Sequence, residues 1–441
     1  MRLHIGLDDT DSPKGGCTTY VGALLVQRLL TMGAEFIDYP NLIRLNPNAP
    51  WKTRGNGAIS LRIQCPAEAV DEIEETVFEA VEENSDLTCF NTNPGAVIYS
   101  GDVPPALTDF ARRTITSLVE LDEALSLIKR FGASALGLKN GRGIIGALAA
   151  VGETLAGDHT YEFLAYRVPE NRGSKRRVDA KSVFEMDAAT NPLTFNNVDQ
   201  QDHRVLITPH GPDPILFGVR GESPEVVYKA ARMVVAKEPV ERWVIYRTNQ
   251  GTDAHFTAVK RIADLRTDHP AVVEGTVLEE PETIKGGHVI LRVGDESGSV
   301  DCAAYEPTKS FRNIVKALIP CDLVRVYGGL KQHQGVQAAT LNMEKLEVLR
   351  LAPQVVYENP LCPRCGSRME AMGREQGYRC RKCSFRGQEM TKQQVVLERE
   401  VRGGVYLPPP RAQRHLTKPL QRYGREKNSA EIRLIEKWHY P

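Results

Sequence analysis

No run of apolar residues approaches the roughly 18 that a membrane-spanning helix needs, and no apolar segment of signal-peptide length follows Met1 and Arg2. The expectation is a soluble, cytoplasmic protein with no membrane partner. Charge of one sign is not in excess either: 56 Lys and Arg balance 56 Asp and Glu, so contact with nucleic acid must rest on local basic surfaces. Cysteine is scarce, at nine in 441 residues, which excludes a disulfide scaffold and fits a reducing compartment. Cys17, Cys65, Cys89, Cys302 and Cys321 have no partner spacing; the other four do. A chain of this length should hold about three or four domains.

What is present is a cluster of acids where a strand gives way to a helix. Leu3, Ile5 and Leu7 alternate as in an extended segment, and Val21, Leu24, Leu25 and Leu29 fall on one helical face. Between them runs Gly6-Leu7-Asp8-Asp9-Thr10-Asp11-Ser12-Pro13-Lys14-Gly15-Gly16-Cys17-Thr18-Thr19. Such a junction offers backbone amides and the positive end of a helix dipole, and Gly15 and Gly16 let an anion come close. Asp8, Asp9 and Asp11 suit Mg²⁺ bridging to nucleotide phosphates, Lys14 would neutralise a transferring phosphoryl group, and Thr18 lies where that group would sit. The competing reading is structural: the aspartates cap the helix, the glycines shape the turn, and the loop matches no Walker-type sequence.

Further along, Ile59, Leu61 and Ile63 alternate as a strand behind the loop Lys52-Thr53-Arg54-Gly55-Asn56-Gly57. Val70, Ile73, Val77 and Val81 mark an amphipathic helix with a solvated acidic face, and Ala96-Val97-Ile98 completes an α/β unit. Leu118, Leu121, Leu125 and Ile128 form a helical stripe that starts near Thr114 and ends at Gly132. The glycine-dense run Gly137 to Ala147 suits either a second phosphate cradle or close helix packing. Tyr161, Phe163 and Ala165 alternate like a strand, while Arg172, Lys175, Arg176 and Arg177 read as solvated surface or an RNA phosphate contact. Ser223 and Pro224 open a helix expected over 225–236, and a strand at Trp243 to Tyr246 runs into the polar stretch Arg247 to His255.

From Ala271 to Leu349 the pattern is three short strands, a helix and two more strands, the last over 337–346, the order of an OB-fold. Cys362-Pro363-Arg364-Cys365 and Cys380-Arg381-Lys382-Cys383 then supply four thiolates at the spacing of a closed, structural zinc site. Arg364, Arg381, Lys382 and Arg386 around it, with Tyr378 and Phe385 between, make RNA-binding candidates. The Arg-, Lys- and Pro-rich tail from Val396 is expected to be ordered in part only on RNA.

The acidic loop, Gly141-Arg142-Gly143-Ile144-Ile145-Gly146-Ala147, Phe217-Gly218-Val219-Arg220-Gly221-Glu222, Arg247-Thr248-Asn249-Gln250-Gly251-Thr252-Asp253, the OB-like region and the four-cysteine ribbon follow one another in an order that resembles the archaeal tRNA-Ile 2-agmatinylcytidine synthetase family over nearly the whole chain. The resemblance implies a multidomain α+β protein. Its parts would be an α/β kinase-like domain at 1–115, a ferredoxin-like α+β domain at 116–265, an OB-fold β-barrel at 268–350, a zinc ribbon at 356–390 and a basic tail at 391–441. It implies an ATP-dependent ligase that places agmatine on carbon 2 of the wobble cytidine of the CAU-anticodon isoleucine tRNA, so that the tRNA reads AUA, with Mg²⁺ and structural Zn²⁺ and no obligate protein partner. The base oxygen would be phosphorylated and then displaced by the amine, which solves the problem of a poor leaving group. The implied catalytic groups are Asp8, Asp9, Asp11, Lys14 and Thr18, with Thr18 as phosphoryl acceptor or metal-orienting group. Gly15, Gly16, Cys17, Thr19, Gly141, Arg142 and Gly143 would bind ATP; Asp213, Glu222 and Asp253 are candidates for the agmatine guanidinium. The wobble base would be flipped into the site. Two other readings are a non-catalytic single-strand-binding protein built on the barrel and ribbon, and another ATP-dependent tRNA base-modifying enzyme.

Overall fold

The structure, a computed structural model, describes residues 1–332, 339–428 and 432–441. Its organising element is one mixed sheet. In spatial order the main strands are Ser134–Gly137, Gly95–Ser100, Arg2–Asp8, Gly57–Gln64, Asn41–Arg44, Val240–Thr248, Thr160–Arg167, Ile215–Gly221 and Thr194–Phe195. The first strand sits centrally and is buried on both faces, Leu3, Ile5 and Leu7 on one and His4 and Gly6 on the other, and it pairs antiparallel on both sides, Leu3 with Ile63 and Gly6 with Val97. The expected kinase-like and ferredoxin-like portions share this sheet, because Asn41 and Leu42 pair in parallel with Arg247 and Thr248.

The helix expected from Thr114 is two helices, Pro105–Thr116 and Leu121–Phe131, broken at Ser117 to Glu120; the second ends at Gly132 in the left-handed region, as the glycine indicated. The run from Gly137 becomes a turn and the helix Gly143–Gly152, buried nearly all round against the first strand and Gly95–Ser100. Close packing accounts for Gly143, since a Cβ there would collide with the backbone of Gly95.

Five strands lying between Pro270 and Arg350 form a closed barrel. Pro270–Val277 pairs with both Val289–Asp295 and Leu323–Lys331, Thr340–Arg350 joins Leu323–Lys331 to Gly298–Ala304, and the helix Phe311–Lys316 lies between the third and fourth of these strands. The expected last strand begins at Thr340; its foreseen positions 337 and 338 lie outside the described residues. A two-stranded stalk, Gln354–Glu358 with Gln393–Leu397, carries the four-cysteine ribbon away from the barrel.

The tail departs from expectation. Gly404–Tyr406 adds an edge to the barrel, Trp438 is buried in the main core, and His439–Tyr440 pairs with Val244 and Trp243. Its cations explain the order: Arg422, fully buried, binds Glu222 at 2.7 Å, Asp158 at 2.8 Å and the Gly251 carbonyl at 2.6 Å. Contacts within the chain hold this part of the tail: among the described residues the ion pairs of Asp158 and Glu222 are all with tail cations. Arg422→Ala should cost about 3 kcal/mol in urea unfolding, since it removes the buried partner of both carboxylates and leaves Glu222 only Lys427, and Asp158 only Lys418 and the Lys427 amide; an unchanged midpoint would contradict this.

His4 beneath the sheet accepts a 2.7 Å hydrogen bond from Arg62 at Nδ1 and meets the Gly101 carbonyl at Nε2. Burial and the Arg62 charge lower it to about 4. The unfolded chain therefore binds a proton between about pH 6.5 and 4 that the folded chain refuses, so this group's stability is full above 6.5 and falls as pH drops through that window. The raised Asp8 and Asp9 act with opposite sign there, so the wild type must be compared with His4→Asn: the variant's Tm should fall less steeply from pH 7 to 5. Parallel declines would refute the assignment.

Candidate active site

The acidic loop is built from inside outward. Asp11 Oδ1 accepts from the Thr18 amide at 2.7 Å and the Thr18 hydroxyl at 3.2 Å, so this carboxylate caps the helix Thr18–Thr31 and fixes Thr18. The Thr18 hydroxyl also meets Thr10 Oγ1 at 3.0 Å. Asp9, at φ 58°, accepts from the Asn93 amide at 3.1 Å and from Arg142 at 3.3 Å. Asp8 is set against Gly146, where a Cβ would collide with its carboxylate. Burial together with the Asp9 charge pushes Asp8 well above the usual carboxylate range, and burial lifts Asp9 to about 6 against the pull of Arg142.

Asp8, Asp9, Asp11 and Thr18 line a partly open cavity together with Trp51, Lys52, Arg54, Asn56, Arg142 and Gly146. Burial and Arg414 lower Lys52 to about 8. A second cavity abuts the first, lined by Cys17, Thr18, Thr19, Arg44, Arg54, Glu162, Phe195, Asp213, Arg220 and the tail residue His415. Asp11, Thr18, Arg54, Asn56 and Gly57 line both. Arg54 ties the wall together: it pairs with Asp11 at 3.1 Å and Asp213 at 3.2 Å and donates to the Gly16 carbonyl at 2.5 Å. Glu162 accepts from Arg220 at 2.9 Å and from Gln250. Arg220 donates to His415 Nδ1 at 3.0 Å, and the Arg44 charge and burial hold that imidazole well below its ordinary pKa, hence neutral.

The expected residues thus divide. Asp8, Asp9, Asp11, Thr18 and Arg142 converge on the first cavity; Cys17, Thr19 and Asp213 line the second. Lys14 is exposed in a turn closed by Ser12 and Gly15, and with Gly15 and Gly16 it lines a separate depression beside Glu83, Asp86 and Arg172. Glu222 is engaged by Arg422 and Lys427, and Asp253 by Lys345 and the Lys418 amide, outside the lining of either cavity. Arg176 is spent on Asp213 and on the carbonyls of Pro209 and Gly211. His255 pairs with Glu344 of the barrel at 3.1 Å. Residues that sequence reasoning left without a role include Arg44, Trp51, Lys52, Arg54, Glu162, Arg220 and His415. The two cations of Lys52-Thr53-Arg54-Gly55 ahead of a strand, and an acid in the alternating run Tyr161-Glu162-Phe163, were the available signals.

In the ribbon the Cys362, Cys365, Cys380 and Cys383 sulfurs lie within 4.8 Å of one another, with Cys362–Cys383 and Cys365–Cys380 at 3.4 Å. Four thiolates at such spacing fit tetrahedral zinc with no open position. Arg364, Arg381, Lys382 and Arg386 are exposed around it; Arg364 lies over the Phe385 ring at 5.1 Å, and Arg381 pairs with Glu370.

With this geometry in place, three family models match: the TiaS TCKD domain over residues 4–69, the TiaS FLD domain over 141–255 and the TiaS C-terminal zinc ribbon domain over 359–401. The isoleucine-tRNA 2-agmatinylcytidine synthetase TiaS of Methanosarcina mazei is 45% identical over 430 residues, covering 95% of this chain and 97% of that one. The chain belongs to the TiaS family. A solved structure of apo TiaS, an isoleucine-tRNA agmatidine synthetase, superposes with TM-score 0.87 at 43% identity, covering 96% of this chain and 98% of that one. A complex of TiaS with its isoleucine tRNA, AMPCPP and agmatine does so with TM-score 0.84 at 40% identity over 99% of each chain. Among the described residues no helix is long and apolar enough to cross a membrane.

Proposed function

We propose that this chain is an ATP-dependent isoleucine-tRNA 2-agmatinylcytidine synthetase, joining agmatine to carbon 2 of the wobble cytidine of the CAU-anticodon tRNA. One observation carries the reading: two cavities share a wall that holds Asp11, Thr18 and Arg54. One cavity is suited to a nucleotide and the other to an organic cation, so that a group activated in the first is delivered to the second.

The first cavity takes ATP. Asp8 and Asp9 fit Mg²⁺: both carboxylates are held up by burial, and Arg142 is the cation hydrogen-bonded to Asp9. Such a cation would neutralise phosphate charge beside them. Asp11 completes the acidic set but is committed to Thr18 and Arg54. Thr18, its hydroxyl fixed by Asp11 and Thr10, is placed to receive or orient the phosphoryl group. Lys14 has no place in this assignment, and Arg142 and Arg54 supply the charge expected of it.

The second cavity takes agmatine and the flipped base. Its apolar lining, Leu42, Leu164, Leu206 and Ile207, suits the four-carbon chain, while Glu162 and Asp213 supply acceptors for the cationic ends. Of the three guanidinium candidates, Asp213 alone is retained. The amine displaces phosphate from carbon 2 once the base oxygen is phosphorylated. We read the barrel as an OB-fold, since its strand order and the helix between the third and fourth strands match that fold. With the basic face of the ribbon it would hold flanking RNA, and the domain limits foreseen from sequence remain our division of the chain.

The test is retention of labelled agmatine in a CAU-anticodon transcript, with ATP and Mg²⁺. Incorporation should vanish when the wobble cytidine is replaced by uridine; label in both transcripts, or in neither, would overturn the reading.

A further inference from the structure

Among the described residues, Arg54 is the only cation that lines both cavities. Arg142 and Lys52 belong to the first, and Arg44 and Arg220 to the second. Its fork is held from three directions: Nε donates to Asp11 at 3.2 Å, one end nitrogen donates to the Gly16 carbonyl and ion-pairs with Asp11, and the other ion-pairs with Asp213 at 3.2 Å. Among the described residues the nitrogen facing Asp213 makes that ion pair and no hydrogen bond, which leaves its N–H groups able to meet a further acceptor. The side chain is about a quarter exposed, and that exposure opens into the cavities it separates. A strut would need neither position. A cation at the boundary, braced by carboxylates from two distant segments, is arranged to meet a charge that crosses it.

We propose that Arg54 is a catalytic residue that stays with the phosphoryl group as it passes from ATP in the first cavity to the base in the second. This rests on the function proposed above. In the step a P–O bond of ATP breaks with its electron pair leaving on the nucleotide oxygen, and a new P–O bond forms to the carbon 2 oxygen of the base. Negative charge spreads over the equatorial oxygens in between. Arg54 donates to those oxygens at the wall, and Asp11 and Asp213 keep its plane facing them without rearrangement. Asp11 thereby positions Thr18 and Arg54 together, on opposite sides of one carboxylate.

The experiment measures agmatine incorporation by wild type, Arg54→Ala and Arg54→Lys in the full-length protein with CAU-anticodon tRNA. Wild type must first incorporate agmatine; if it does not, the proposed function fails and not this inference. With wild type active, Arg54→Ala should lose about 10²–10³-fold in kcat, with KM for ATP within about threefold, and guanidinium ion added to the buffer should restore at least about tenfold. A loss confined to KM or to Tm, or kcat within tenfold of wild type, overturns the role, as does the absence of guanidinium rescue. Should Arg54→Ala not fold, Arg54→Lys decides: a point charge cannot span the oxygens the fork spans, so kcat should fall at least about tenfold at unchanged KM. Turnover near wild type in Arg54→Lys overturns it.

Discussion

Asp9→Ala will lower the rate of agmatine transfer by about 10³-fold, while tRNA affinity stays within about twofold. The expectation follows from what Asp9 touches. It accepts from the Asn93 amide and Arg142 at the mouth of the first cavity, 3.1 Å and 3.3 Å away, and among the described residues it hydrogen-bonds to neither the ribbon nor the barrel. On the proposed assignment, removing it would deprive the phosphates of a metal ligand and loosen Arg142, which would keep only the Trp51 and Asn91 carbonyls, two losses at the reacting end of ATP. Together they are worth several kcal/mol, and each 1.36 kcal/mol is tenfold. Single-turnover incorporation, run beside filter binding of the tRNA, separates chemistry from recognition. Retained turnover, or a parallel loss of tRNA binding, would move the acidic loop out of the chemistry.

Stripping zinc with a chelator, or Cys380→Ser, will unfold the ribbon while the sheet and barrel stay folded. The buried interior of the ribbon is Cys362, Met369 and Cys380, far too little to offset the entropy of ordering some forty residues without the metal. Free energies of about 10–16 kcal/mol for structural zinc in small fingers give the scale of the loss. The two-stranded stalk isolates the effect, because Arg399 anchors the chain to Asp322 of the barrel just beyond it. Unfolding should appear in the ribbon's amide signals, with tRNA affinity falling about tenfold or more as Arg364, Arg381, Lys382 and Arg386 lose their shared frame. A ribbon whose spectrum survives metal removal would contradict the assignment.

Much of this site could be read from local pattern, and the remainder could not, for identifiable reasons. The acidic loop announced itself because strand alternation, three carboxylates and a helical stripe adjoin in sequence. The cysteine knuckles did so because metal geometry fixes their spacing. Lys14 was misleading: proximity along the chain put it near Thr18, but the hydrogen-bonded turn between Ser12 and Gly15 points it elsewhere. The cations that do face the acidic loop are Arg54 and Arg142, which pair with Asp11 and Asp9 and which sheet pairing and the packing of Gly143–Gly152 bring to it; we propose that they supply the charge expected of Lys14. Glu222 and Asp253 looked like free carboxylates because their partners, Arg422, Lys427, Lys345 and Lys418, lie about 90 to 200 residues away. The tail was misjudged on composition. Proline and cations read as disorder until the buried acids they neutralise are seen.

The most direct test of the central claim is the mass of the wobble nucleoside recovered from CAU-anticodon isoleucine tRNA after incubation with this protein, ATP, Mg²⁺ and agmatine. The account predicts cytidine heavier by agmatine less water, formed only when ATP is present. Unmodified cytidine with the tRNA still bound would contradict it and leave a binding protein or a different amine donor.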